Sequence, residues 1–512
     1  MGPVRAIEAV DDIDSAPAPW VSRRVAVVVW GVAAAIVAGW LVLAGGHRGD
    51  DYRVSHVQGV WIAAAEEARA GRLYPPLFDG KHYAGTRYMP MPILLNAAAA
   101  DLVGDPLEGG KLLAATLMTM LLGLVVVVVR RLSCPWPVAA GVAAVVVGTN
   151  AGLQAGTTIG GDLLPVVLQV GALAVIVSHR RPHHLVLAGA LAGLAAASKL
   201  TGVWAFLAVV TWLAWNRQWR PAITFAVASV VTAGGVLAAV QLVSNGGLFA
   251  HLHTFSFAGV HNGRVVFRGP NQILYNLIGH AMGTVVLFPL VLAGALQPRR
   301  SPSVSLLYIA LGYVLLLLLI VYADIGTGFN QLFDLVVVTA LVAGALAGER
   351  VASQAGAAAR GYLLVVMVAV LWAGSLDLVR TVGFDVRGML AASGQAGAAR
   401  RSAVMVADLV KPGDEVLAED PAVYVALHRR PLIADSFMLN VLDRRHPEWL
   451  DPLIRQIADR RFQLVVLVVP VEDRNLDYWW TDFHYGPRIA AALRTAYRPA
   501  GTVGRYFVYR PR

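Results

Sequence analysis

The chain has 512 residues, of which 57% are hydrophobic and only 14% charged, with a formal net charge of +10 and a mean hydropathy of +0.61. A soluble domain carries roughly 25% charged residues, so a chain this long and this apolar could not cover its own surface in water, and the bilayer must solvate much of it. Lys and Arg fall in short pairs between apolar runs, not in a basic stripe with interleaved aromatics, which argues against a nucleic-acid partner and for a role in membrane orientation. The single cysteine, Cys134, leaves no intrachain disulfide and no Cys-based metal site.

Polar, acidic residues precede the first apolar run, at 25–45. That run is too long for a signal-peptide core and lacks a convincing cleavage site. It reads as a retained first span, with residues 1–24 a cytoplasmic tail and Arg23 and Arg24 inside. Further apolar runs lie at 111–129, 135–152, 163–178, 185–198, 200–215, 221–243, 274–296, 303–323, 331–348 and 362–379. A spanning helix needs about 20 such residues, so the expectation is about 11 transmembrane helices. The runs at 185–198 and 200–215 are short and read as a helical hairpin meeting at Lys199. Basic residues mark every second turn: Arg130-Arg131, Arg180-Arg181, Arg217 with Arg220, Arg299-Arg300, and Arg350 with Arg360. This alternation closes only if the hairpin counts as two passes, and it places the N-terminus inside and the C-terminal segment outside. Met89 to Val103 is apolar but short, and is broken by Pro90 and Pro92. It reads as an interfacial helix on the outer face.

From about Thr381 the charged residues return. Glu415 to Glu419, Leu464 to Val469 and Arg505 to Tyr509 read as strands, and Pro447 to Arg461 as a helix with Trp449, Leu450, Leu453, Ile454 and Ile457 on one face. The fold expected is therefore an all-α polytopic membrane domain (25–380) followed by a small extracytoplasmic α/β domain (381–512) with a partly parallel sheet. No P-loop, GxGxxG or internal repeat is present.

The first outer loop, 46–110, opens with Gly49-Asp50-Asp51-Tyr52-Arg53-Val54-Ser55-His56. Adjacent carboxylates repel, so one pKa should rise, or a cation or Arg should sit beside them. Such a carboxylate suits general-base work, although the same residues could simply cap a helix. Asp162, at the mouth of the fourth span, is either a second acid or an N-cap. Lys199, buried in an apolar stretch, is a functional candidate by default and could hold a lipid phosphate. The loop 244–273 carries His251, His253, His261, Arg264 and Arg268 among phenylalanines, a mixture that suits a phosphorylated lipid head group. Asn330 and Asp334 stand where a cavity wall or a helix cap is expected. In the tail, Asp435, Asp477, Trp479, Trp480 and His484 could line an acceptor groove.

An Asp-containing first loop, the Tyr/Pro segment after it, Gly161-Asp162 in the second outer turn, the Ala-Gly-Leu-Ala-Ala-Ala-Ser-Lys run at 192–199 and an α/β tail together resemble the GT-C class of integral-membrane glycosyltransferases. Relatives in that class include protein O-mannosyltransferases, aminoarabinose lipid A transferases and actinobacterial mannosyl- and arabinofuranosyl-transferases. The resemblance implies an inverting plasma-membrane enzyme that moves a sugar from a polyprenyl-phosphate donor to an envelope glycan, lipid or protein on the outer face. It implies Asp50 or Asp51 as base and Asp162 as second acid. It implies donor-phosphate contacts at Lys199, Arg87 and Tyr88, joined by His56 and Arg264, and a cavity wall at Asn330 and Asp334. No cofactor is fixed by the sequence; if a divalent cation (Mg2+, Mn2+ or Ca2+) is bound, Asp50, Asp51 and Asp162 would be its ligands. The pair here is Asp-Asp where aminoarabinose transferases have Asp-Glu, which leaves the choice of base open. A transporter or lipid flippase, or a non-catalytic envelope-assembly scaffold, is the competing expectation.

Overall fold

A computed structural model describes residues 23–178, 181–256, 265–296, 301–324, 326–352, 365, 367–372, 376 and 401–512. The N-terminal tail, Arg264 and most of the eleventh apolar run fall outside these residues. The first span is α1 (Arg23–Gly46). The loop that follows is half helical. It contains α2 (His56–Arg69), opened by a reciprocal cap in which the Ser55 N–H donates to Gln58 Oε1 at 2.7 Å and the Val57 N–H donates to Ser55 Oγ at 3.3 Å. It also contains α3 (Pro90–Val103), started by Pro90 and stopped by Gly104 at φ +83°. At 1.5 Å per residue α3 is about 21 Å long, too short to cross a core of about 30 Å.

The membrane helices continue with α4 (Pro106–Arg131), α5 (Trp136–Gly148), α6 (Asn150–Thr157), α7 (Leu163–Ser178), α8 (Pro182–Ala196), α9 (Trp204–Trp215) and α10 (Trp219–Val243). Then come α11 (Gly247–Phe255), α12 (Val265–His280), α13 (Met282–Ala295), α14 (Pro302–Val321) and α15 (Phe333–Ala352). α15 is buried nearly all round and forms the centre of the helical core.

Among the described residues, five helices are long and apolar enough to span by length and composition, or seven if each of two bent pairs counts as one. The expectation of about 11 transmembrane helices is therefore met only in part. The run 135–152 breaks between α5 and α6 with a bend of 75°, because Thr149 adopts an extended backbone and its hydroxyl accepts the Gly152 N–H at 3.0 Å. The run 274–296 is likewise not one straight span: α12 and α13 meet at 119° around Ala281. There His280 stacks on Phe329 at 3.9 Å, and its Nδ1 meets Asn150 Nδ2 at 2.8 Å. These tertiary contacts hold a corner that local propensity does not encode. α8 and α9, of 15 and 12 residues, are short, with Lys199 in the turn between them.

The tail folds around a four-stranded sheet, β1 (Val416–Ala418), β2 (Leu464–Leu467), β3 (Tyr497–Val503) and β4 (Tyr506–Pro511), in the order β1-β2-β4-β3. β1 and β2 are parallel, with Leu417 opposite Val465; the other pairs are antiparallel. Five helices flank it: α16 (Ser402–Ala407), α17 (Ala422–Ala426), α18 (Ser436–Arg445), α19 (Pro447–Ala458) and α20 (Pro487–Ala496). Leu450, Leu453 and Ile457 of α19 are buried, with Trp449 and Ile454 packed partly buried beside them.

The tail rests on the first loop. The Tyr83 N–H donates to Leu432 O at 2.8 Å, the Ala434 N–H donates to Tyr83 O at 2.9 Å, and the Tyr83 hydroxyl donates to Trp449 O at 2.8 Å. Gly59 of α2 permits the closest approach. A Cβ there would lie 1.8 Å from Asp420 Oδ1, at the head of α17.

Candidate active site

The polar candidates fall into two groups. In the first, Asp162 precedes α7 and Lys199 lies in the α8–α9 turn. Asn330 sits in the short 3-10 turn Phe329–Leu332, and Asp334 in the first turn of α15. Lys199 Nζ donates to Asp162 Oδ1 at 2.7 Å and lies 3.8 Å from Asp334 Oδ2. Asn330 Nδ2 donates to Asp162 Oδ2 at 2.7 Å, and Trp204 Nε1 donates to Asp334 Oδ1 at 2.7 Å. Four residues singled out separately in the sequence thus share one network. Burial pushes the Asp162 carboxyl up, but the Lys199 charge and the Lys199 and Asn330 hydrogen bonds outweigh it and hold the group below the usual carboxylate range. Burial likewise pulls Lys199 down, and the charges of Asp162 and Asp334 lift it above its ordinary value.

Tyr88 and Arg87 border this network. The Tyr88 ring stacks on Trp61 at 4.2 Å, and Trp61 lies against Gly161, where a Cβ would be 2.5 Å from the indole. Arg87 reaches the loop that carries Asn330. Its Nη1 donates to Asp324 Oδ2 at 2.8 Å and its Nη2 to Gly326 O at 3.3 Å. The Phe437 ring of the tail lies 5.2 Å from its guanidinium.

The second group is the acid turn after α1. Asp50 Oδ2 is 2.6 Å from His47 Nδ1, and Asp50 Oδ1 accepts the Tyr52 N–H at 2.8 Å. Beneath it the buried Lys111 donates to three backbone carbonyls, those of Asp50 at 2.7 Å, His47 at 2.8 Å and Tyr52 at 3.1 Å. One ammonium therefore sets the shape of the turn. Asp51 points instead to the tail, where its Oδ2 accepts the Ser402 N–H at 2.5 Å. Arg401 beside it reaches Gly49 O at 3.1 Å and pairs with Asp105.

His56 stands over the tail cluster, 4.6 Å from the His484 ring and 5.3 Å from Trp479. His484 Nδ1 is 2.7 Å from both Glu419 Oε1 and Ser436 Oγ, and Trp479 Nε1 donates to Glu419 Oε1 at 2.7 Å. Burial first, then the facing His484 and Arg505, hold His56 well below its ordinary value. A bridge joins the two groups: Arg53 Nη1 donates to Asn150 Oδ1 at 3.0 Å, and Asn150 meets His280, which stacks on the residue before Asn330.

Of the other tail candidates, Asp435 caps α18 by accepting the Phe437 N–H at 2.9 Å, Asp477 pairs with Arg494, and Trp480 is buried. His253 and Arg268 make no contact with either group among the described residues. The donor set for a divalent cation does not fit: Asp50, Asp51 and Asp162 hold three different partners, and Lys199 already occupies the place a cation would take at Asp162. No three His, Cys, Asp or Glu side chains converge as ligands among the described residues.

Sequence reasoning missed Lys111, Trp204 and the Arg87–Asp324 pair as site components. A lysine at the head of an apolar run was a usable signal. Nothing local distinguishes Trp204 from the other tryptophans of these helices.

The fold is that of the GT-C glycosyltransferases. It is shared with ArnT from Cupriavidus metallidurans, whose crystal structure holds undecaprenyl phosphate, at a TM-score of 0.59 and 15% identity over 94% of this chain and 98% of that one. The oligosaccharyltransferase of Archaeoglobus fulgidus in its apo form matches at a TM-score of 0.55 and 11% identity, covering 97% of this chain and 75% of the other. The mycobacterial arabinofuranosyltransferase AftD matches at 0.50 and 14%, covering 96% and 40%. No protein-family model matches the sequence, and no curated protein matches it. At these identities the likeness establishes the fold.

Proposed function

We propose that the chain is a multi-pass plasma-membrane glycosyltransferase that takes a sugar from a polyprenyl-phosphate donor and passes it, with inversion, to an envelope glycan, lipid or protein on the outer face. The observation that carries this is a fold shared end to end with a protein captured with undecaprenyl phosphate. The acid–lysine network at Asp162 and Lys199, beside the first loop, supports it. In this reading the N-terminus is cytoplasmic, and the first loop and tail are extracytoplasmic.

In the transfer the acceptor oxygen bonds to the anomeric carbon as the bond from that carbon to the phosphate oxygen breaks. The acceptor proton goes to a carboxylate. The base is Asp50, because Asp51 is tied to the tail by the Ser402 N–H while Asp50 stays within the acid turn beside His47. Lys199 and Arg87 meet the phosphate as its charge grows. Both already hold carboxylates, so an arriving phosphate displaces Asp162 or Asp324 from its cation.

The test is transfer from labelled polyprenyl-phosphate sugar in membranes containing the full chain. Loss of transfer in Asp50→Asn and retention of donor binding are expected. Transfer that survives both Asp50→Asn and Asp51→Asn removes the first-loop base. Movement of a substrate across vesicles without sugar transfer removes the enzyme reading.

A further inference from the structure

Arg53, two residues beyond Asp51, holds φ at +56°, a left-handed backbone that a long side chain rarely adopts. Strain of this kind persists only where the surroundings fix it, and it gathers at working sites. Here it lies within the acid turn. The Tyr52 N–H, just before it, holds Asp50 Oδ1 at 2.8 Å, and the Val54 N–H, just after it, donates to Asp51 O at 2.9 Å.

The restraint comes from the far end of the chain. Only two residues, Gly504 and Arg505, join β3 to β4, since Val503 pairs with Tyr506. Glycine at the first of them, with φ at +56°, suits a tight hairpin turn. A Cβ there would lie 2.4 Å from Ser402 Oγ, so the hairpin tip sits against Ser402. The Ser402 hydroxyl accepts the Arg505 N–H at 3.3 Å, while its own N–H holds Asp51. From this tip the Arg505 side chain crosses to the first loop, where Nη1 donates to Val54 O. Its Nη2 is aimed by Asp420 Oδ2 at 2.6 Å and by the Tyr506 hydroxyl at 2.9 Å, and that hydroxyl donates to the same Asp420 oxygen at 2.8 Å. Asp420 itself is fully buried beside Gly59 of α2.

Three cations thus hold five carbonyls of the turn. Lys111 takes those of His47, Asp50 and Tyr52, Arg401 that of Gly49, and Arg505 that of Val54. Of the three, only Arg505 acts on the far side of Arg53, so it is the cation that opposes relaxation of the strained residue.

We infer that Arg505 is a positioning residue of the transfer site: by holding Val54 O from the tail it fixes the backbone that presents the Asp50 carboxylate. The tail hairpin is then a working part of that site. This role rests on Asp50 acting as the base of a glycosyl transfer; the clamp on residues 47–54 does not.

The experiment compares the full chain as wild type, Arg505→Gln and Arg505→Lys. Transfer is measured in membranes containing each chain, with a panel of labelled polyprenyl-phosphate hexoses and pentoses as donors. Amide exchange is measured by mass spectrometry on the same chains in nanodiscs. In Arg505→Gln the rate at saturating donor should fall about 10- to 100-fold, the scale of a displacement of about 1 Å. The half-saturating donor concentration should stay within about twofold of the wild type. Amides of 47–54 should exchange about tenfold faster while those of β2 exchange as in the wild type. Arg505→Lys, which keeps a cation for Val54 O, should recover part of both effects. Melting temperature reports folding; if Arg505→Gln does not fold, Arg505→Lys decides, with smaller changes in the same directions.

The role is overturned by transfer at the wild-type rate, by a loss that falls on half-saturating donor instead of rate, by unchanged exchange of 47–54, or by Arg505→Lys performing no better than a folded Arg505→Gln. A wild type that transfers none of the sugars, with exchange of 47–54 still dependent on Arg505, would overturn the transfer reading and leave the clamp standing.

Discussion

Lys199 lies between two carboxylates, and the arrangement makes an asymmetric prediction. At an effective dielectric of about 20, unit charges attract by about 6 kcal/mol at the 2.7 Å separation of Asp162 and about 4 kcal/mol at the 3.8 Å separation of Asp334, before dehydration of the groups is subtracted. Lys199→Met removes both attractions and leaves two neighbouring acids uncompensated. The expected loss is at the upper end of the range for breaking buried pairs, about 3–5 kcal/mol. Asp162→Asn leaves Lys199 and Asp334 balanced, relieves the repulsion between the two acids and keeps an oxygen for the lysine. It should cost only about 1–2 kcal/mol, the value of a hydrogen bond to a charged group. Adding Asp162→Asn and Asp334→Asn to Lys199→Met should recover part of the loss. The measurement is equilibrium unfolding in mixed micelles across the series. If Asp162→Asn destabilises as much as Lys199→Met, the cation is not shared between two acids and the reasoning fails.

Removing the base should lower transfer by about 10²- to 10⁴-fold in Asp50→Asn. Asp51→Asn, which can still accept the Ser402 N–H, should stay near wild type in a labelled-donor assay. Lys111→Met should reduce transfer as severely as Asp50→Asn while donor binding persists, since the three carbonyls that fix the acid turn lose their common donor; unchanged transfer would sink that role. His56 and His251 both have folded values below the ordinary 6.5. Acidification therefore charges the unfolded chain first. Stability should be flat above about pH 6.5 and fall between pH 6.5 and 4 by at most about 1.4 kcal/mol per pH unit for each ring. His251→Phe should flatten that slope in melting scans.

Much of this architecture is written in hydropathy alone. The runs giving α1, α4 and α14 are long and uninterrupted, and α19 shows its buried face in the spacing of Leu450, Leu453 and Ile457. The corner at Ala281 is not written there, because a stack of His280 on Phe329 makes it and neither residue signals a break. β3 was not among the expected strands: with Pro499 and Gly501 inside it, it pairs with β4 at the sheet edge around an irregularity between those two residues. That Asp162, Lys199, Asn330 and Asp334 meet is a property of helix packing, and each residue alone fits a cap or a snorkelling side chain equally well.

The bond from the Ser402 N–H to Asp51 joins positions 351 residues apart. At 5–20 residues per second, a ribosome needs roughly 20–70 s to make the second partner after the first has emerged. Through that interval the acid turn waits, already delivered to the membrane, without the segment that closes over it. Its neighbours from the tail arrive only after the helices α1 to α15 have been made, so a chain ended before Ser402 should insert its early helices yet leave the first loop unroofed. Closure of the acid turn is thereby tied to synthesis of the tail.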